Sequence, residues 1–114
     1  MGGFIMDEFE NVAFQIISAV GTARSTYIQA IQKAKAGDFD CAEALIEEGS
    51  KIFLEGHHAH AVLLQQEANN TTKHPLPLLI IHAEDQLMSA EAFKILAQEF
   101  IDVYKRIETL EKKG

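Results

Sequence analysis

Cysteine, proline, glycine and basic residues are all scarce in this chain, and each shortage narrows what it can be. The single cysteine, Cys41, has no partner for an internal disulfide, a usage that fits a reducing compartment. Two prolines and seven glycines in 114 residues leave little material for turns. The elements must then be few and long, which favours helices. Ten Lys and Arg stand against 17 Asp and Glu, a formal net charge of −7. Nucleic acid and anionic membranes repel such a chain, whereas a protein with a basic docking face attracts it. No apolar run approaches the roughly 20 residues that span a bilayer, so no direct membrane insertion is expected. The opening MGGFIMDEFE lacks the basic start and long apolar core of a secretory signal. Met6 also stands where N-myristoylation of Gly2 requires Ser or Thr. A soluble, cytoplasmic protein is the expectation.

What is present is a globular balance, 47% hydrophobic and 24% charged, in a length that suits one domain over residues 1–114. From Asp7 to Ala36, residues such as Phe9, Val12, Ile16, Val20, Tyr27 and Ile31 recur at steps of three or four. This is the stripe of an amphipathic helix. Asp7 and Glu8 would sit at its positive end, and Lys33 and Lys35 at its negative end. Gly37 can supply a left-handed C-cap, and Asp38 or Asp40 can cap the next helix. That second helix is expected from about Phe39 to Ala68, with Phe39, Ala42, Ile46, Phe53 and Leu63 on its apolar face. Gly49 and Gly56 weaken it by roughly 1 kcal/mol each relative to Ala, or serve close helix packing. The stretch NNTTKHP is the clearest loop, and Pro75 and Pro77 are tolerable before or within a first helical turn. A third helix should run to about Leu110, with a frayed tail. The fold class is therefore all-α, with three helices.

The third helix carries two apolar stripes. One is Ile80, Ala83, Leu87, Ala90, Ala97, Ile101 and Tyr104; the other is Leu78, His82, Asp85, Ser89, Ala92, Leu96 and Val103. Residues Leu78 to Ile81 are apolar around the whole circumference, a pattern of enclosed helices. Three helices alone do not readily enclose one of themselves, so the second stripe predicts self-association.

Within that helix the segment LLIIHAEDQLM places His82, Asp85 and Gln86 on neighbouring positions, since residues three and four apart share a face. Glu84 is about 200° round from His82 and points elsewhere. A bare His-x-x-Asp is a weak pattern, more often met in core histidines bonded to a helical neighbour. The surrounding words carry more. His82-Ala-Glu-Asp85-Gln-Leu-Met88, the earlier GTARSTYIQAIQKAKAGDFDCAEALIEEG and the stretch EGHHAHAVLLQQEA resemble the lactose/cellobiose-type enzyme IIA of the bacterial sugar phosphotransferase system. The resemblance covers roughly residues 9 to 108.

That resemblance implies an up-down-up three-helix subunit assembling as a homotrimer. It implies that His82 is the phosphoacceptor, taking phosphate from the carrier HPr and giving it to a sugar-specific IIB component. The transported sugar would be a disaccharide of the lactose, cellobiose or chitobiose type. It further implies that Asp85 lies on the threefold axis, where three copies bind one divalent cation such as Mg²⁺. The chain departs from the family motif twice: Glu84 replaces a Gln and Gln86 replaces a second His. Gln86 can hydrogen-bond near His82 but cannot titrate, and Glu84 adds charge near a site meant for phosphate. The chemistry agrees with the resemblance, because imidazole, with an ordinary pKa of about 6.5, offers a neutral nucleophilic nitrogen near pH 7.

Other candidates are weighed against plainer readings. His57 and His60 share a helical face while His58 diverges, so the EGHHAH cluster offers two metal ligands or a half-exposed surface beside His82. His74 reads as a loop residue. Arg24 is a phosphate or partner contact, or the cation of an ion pair with an acid on another helix. Cys41 near a helix start is a small packing residue, and the aromatics of KIFLEG and EFIDVY read as core. Two other function classes remain in view: a histidine-phosphotransfer signalling domain, against which Glu84, Asp85 and Gln86 argue, and a non-catalytic helical oligomer organised by metal.

Overall fold

The computed structural model describes residues 2–69 and 78–114, with side chains from Glu8 onward. Three helices account for nearly all of them: α1 at Gly2–Lys35, α2 at Phe39–Asn69 and α3 at Leu78–Lys113. The stretch containing Pro75, Pro77 and His74 lies outside the described residues.

Helix α1 ends where the sequence demands. Gly37 takes a positive φ of 86°, a conformation that costs glycine nothing. Its N–H donates to the Ala34 carbonyl and the Asp38 N–H to the Lys33 carbonyl, closing the turn as a glycine C-cap does. Asp38, rather than Asp40, then caps α2: its Oδ1 accepts from the Cys41 N–H at 3.2 Å. The start of α1 differs from expectation. The helix begins at Gly2, so Asp7 and Glu8 lie beyond its first turn, which holds no acid, and their dipole role falls away. Helix α3 likewise continues to Lys113 rather than fraying after Leu110.

The molecule is a rod of 69 × 18 × 16 Å. Helix α1 is its spine, packing extensively on both other helices, while α2 and α3 touch each other far less. Ile16, Val20, Ala23, Tyr27 and Ala30 form the wholly buried face of α1, as the three-and-four spacing requires. Gly49 and Gly56 are both buried, two helical turns apart on α2. A Cβ at Gly49 would lie 2.6 Å from Tyr27 Cε1, and one at Gly56 would lie 2.7 Å from Val20 Cγ1. Both glycines therefore serve close packing against α1.

On α3 the buried residues are Ile80, Ala83, Leu87, Ala90, Ala97 and Ile101, the first of the two stripes. The second stripe faces outward: Leu78 is 80% exposed, and Leu96 and Val103 about half exposed. Phe100 is also exposed, against the expectation that the aromatics of its segment are core. Among the described residues no helix is long and apolar enough to cross a membrane.

Candidate functional site

The first turns of α3 build the site. Ile80 and Ala83 anchor them against α1 and α2, so the intervening positions must face away. His82 and Asp85, one turn apart, are both exposed. With Leu78, Leu79 and Ile81 they line an open groove of about 700 Å³. An imidazole on a rigid helix, beside an apolar shelf, is held for attack yet accessible to a docking protein.

Two side chains flanking Asp85 in sequence are tied to the other helices. Glu84 turns back to α2, where its Oε2 lies 2.7 Å from His60 Nε2. Both partners are partly buried, with 15% and 34% of their side chains exposed. Gln86 Oε1 accepts from Arg24 Nη1 of α1 at 3.4 Å, and the Arg24 guanidinium also lies 5.9 Å from the Phe93 ring centroid. Glu84 and Gln86 are the two positions at which the segment differs from the motif it resembles. The negative charge of Glu84 is thus drawn toward a histidine of α2 and away from the face that carries His82.

The other candidates sort clearly. Arg24 makes an amide contact rather than an ion pair with an acid, and neither reading of its role anticipated Gln86. His57 is exposed and stacks on Phe53 with ring centroids 6.3 Å apart; His58 stands edge-on to it. His60 is engaged by Glu84, and no group of three or more metal-ligating side chains occurs among the described residues. Cys41 is free and half-buried at the start of α2. A second groove of about 800 Å³ between α1 and α2, lined by Asn11, Phe14, Ser18, Ile52 and Glu55 among others, lies apart from His82 and holds no strong nucleophile. Sequence reasoning missed His60 and Arg24 as supports of the site, because each contact depends on the register between two helices. The only advance signal was that two polar side chains, Glu84 and Gln86, follow an apolar turn.

Three long helices, with the exposed His82 set beside an open apolar shelf on α3, offer a ring nitrogen that a docking protein can reach. The family model described as "PTS system, Lactose/Cellobiose specific IIA subunit" matches residues 11–105. The lichenan-specific phosphotransferase enzyme IIA component of Bacillus subtilis is 37% identical over 101 residues, covering 89% of this chain and 91% of that protein. The crystal structure of the cellobiose-specific enzyme IIA of Bacillus anthracis superposes with a TM-score of 0.81 at 39% identity, over 87% of this chain and 90% of the other. A chitobiose IIA of the Escherichia coli phosphotransferase system, solved in complex with HPr, gives 0.75 at 26% identity, over 87% and 95%. This chain belongs to the lactose/cellobiose-specific IIA family of the phosphotransferase system. It is a phosphotransferase component that carries phosphate on a histidine, and the signalling-domain and purely structural alternatives are set aside.

Proposed function

We propose that His82 is the phosphate-carrying histidine, that HPr is the donor and that a sugar-specific IIB component is the acceptor, in the cytosol. The observation that carries the assignment is the exposure of His82 on the helix turn beside Leu78, Leu79 and Ile81. His57 and His58 are exposed too, but they sit on α2 outside the HAEDQLM segment, and His60 is occupied by Glu84. In the transfer, the lone pair of the unprotonated ring nitrogen of His82 forms the N–P bond. The bond from phosphorus to the donor atom breaks, and its electron pair leaves on the donor. The second ring nitrogen of His82 keeps its proton. The same steps run in reverse toward the acceptor. Phosphoryl transfer asks mainly for alignment and charge stabilisation, and a net charge of −7 favours partners that bring basic groups. That a relative has been solved with HPr supports the choice of donor.

The same reading includes a homotrimer. The exposed stripe Leu78, His82, Asp85, Ser89, Ala92, Leu96 and Val103 runs along α3 with large apolar members uncovered, which marks an association surface. Asp85 has no ion-pair partner among the described residues. It offers hard oxygen ligands, and one carboxylate per subunit is too few to hold an ion alone. Three copies brought together by threefold symmetry would suit a divalent cation, Mg²⁺ with retained waters being the natural occupant. Its chemistry there is to offset the repulsion among three carboxylates. The experiment is phosphorylation with phosphoenolpyruvate, enzyme I and HPr. Native protein should take up label and His82→Ala should take up none, while single substitutions of His57, His58, His60 and His74 retain it. Acid-labile phosphate on folded His82→Ala protein refutes the assignment.

A further inference from the structure

We propose that Arg24 is a positioning residue that orients Gln86 as a hydrogen-bond donor to the phosphoryl group on His82; this rests on His82 being the acceptor. Gln86 lies one helical turn after His82, and side chains on a helix lean toward its N-terminus, so the Gln86 amide leans toward the imidazole. An amide can present either its oxygen or its NH₂ group in a given direction. Arg24 decides which. A guanidinium has donors only, so its Nη1, 3.4 Å from Gln86 Oε1, selects the orientation in which the oxygen faces α1. The NH₂ group is left to face the other way, with two N–H donors and no partner among the described residues. A phosphorylated imidazole one turn away carries oxygens that accept only, a match of donor to acceptor. An oxygen turned toward phosphate would repel it instead.

Arg24 is itself held. It is half-buried on α1, and its guanidinium lies over the Phe93 ring at 5.9 Å, so the planar group is braced from α3 while it reaches Gln86. The Ala23 side chain before it is fully buried, fixing the rotation of α1 at this level. The arrangement converts Gln86, which cannot titrate, into a donor present at every pH.

The test uses the full-length protein with phosphoenolpyruvate, enzyme I and HPr, and measures both the transfer rate and the ¹⁵N resonance of the Gln86 side-chain amide. Losing one hydrogen bond to a charged group in the transition state corresponds to roughly tenfold in rate. Arg24→Met and Gln86→Leu should each slow transfer about tenfold. The double variant should be no slower than either single one. Arg24→Lys, which keeps a donor-only cation, should stay within about threefold of native protein. The Gln86 amide resonance should shift on phosphorylation of native protein and not of Arg24→Met. If Arg24→Met unfolds, Arg24→Gln with the same two measurements replaces it. Additive losses in the double variant, or a Gln86 amide indifferent to phosphorylation, overturn the inference. Failure of native protein to take phosphate on His82 would instead sink the reading beneath it.

Discussion

Replacing three glycines by alanine, one at a time, should move stability in opposite directions. A helical Gly→Ala change by itself gains about 1 kcal/mol. At Gly21 the added methyl meets no atom within 4 Å, so that gain stands alone and the variant should be stabilised by up to about 1 kcal/mol. At Gly49 the methyl would come 2.6 Å from Tyr27 Cε1 and 2.9 Å from Cδ1, about an ångström inside ordinary carbon contact. Tyr27 is fully buried and cannot swing clear, so α2 must move off α1. Overpacking costs about 1–3 kcal/mol, and an overlap this deep belongs to the upper part of that range, about 2–3 kcal/mol, leaving a net loss of about 1–2 kcal/mol after the helix gain of about 1 kcal/mol. Gly56 meets one Val20 methyl at 2.7 Å and Ala19 Cβ at 3.4 Å, and a net loss of about 1 kcal/mol is expected. The displacement at Gly56 reaches the site, because His60, which holds Glu84, is one turn further along α2. Urea midpoints at one fixed protein concentration are the assay, since the proposed trimer would make apparent stability concentration-dependent. If Gly49→Ala is as stable as native protein, or if Gly21→Ala falls along with it, the close-packing account of α1 and α2 is wrong.

Tyr27→Phe should be neutral or stabilising by about 1 kcal/mol, because the buried hydroxyl has no hydrogen-bond partner; nearby Ser50 gives its own proton to the Ile46 carbonyl. Burial, eased by that nearby Ser50, raises the Tyr27 hydroxyl above its ordinary pKa of 10.0. The unfolded chain then releases this proton first, so stability falls as pH rises beyond about 10, and Tyr27→Phe should lose that part of the decline in pH-dependent urea titrations. Glu84→Gln should leave phosphate uptake intact and lower stability by no more than about 1 kcal/mol, since the His60 pair is partly exposed; a loss of uptake would show that the carboxylate takes part in transfer. Sedimentation should find a trimer weakened by EDTA, and an Asp85→Leu trimer that ignores EDTA; a native monomer free of metal on elemental analysis would remove the metal proposal.

The helices were legible because their signals are local. Steps of three and four from Phe9 to Ile31, a glycine at 37 and an aspartate at 38 each act through neighbours in sequence, and α2 lies within a residue of its expected end. Glu84 and Gln86 were marked as departures, yet their partners were not readable. His60 and Arg24 reach them only through the register of α3 against α2 and α1, and no periodicity encodes register between helices. The two stripes of α3 were both visible, but sequence did not say which one its own subunit covers; small residues at Ala83, Ala90 and Ala97 mark that closer seam. Phe100 was misread because aromatic character alone does not fix which way a helix turns it. The early start of α1 escaped for a related reason, since acids at positions 7 and 8 resemble a helix beginning without being one.

The sparse contact between α2 and α3 sets the order in which the site comes into being. Helices α1 and α2 are joined by the three residues 36–38, so their antiparallel hairpin closes cheaply and can form early. The contacts of α1 with α3 join residues such as Arg24 and Gln86, 62 positions apart, and wait for a much longer loop to close. In chain order both helices of the hairpin precede His82. A hairpin without α3 would expose the flank on which Ile80, Ala83 and Leu87 pack, an adhesive surface of the kind that aggregates. The helix that carries His82 is therefore also the one that covers the apolar flank of the hairpin.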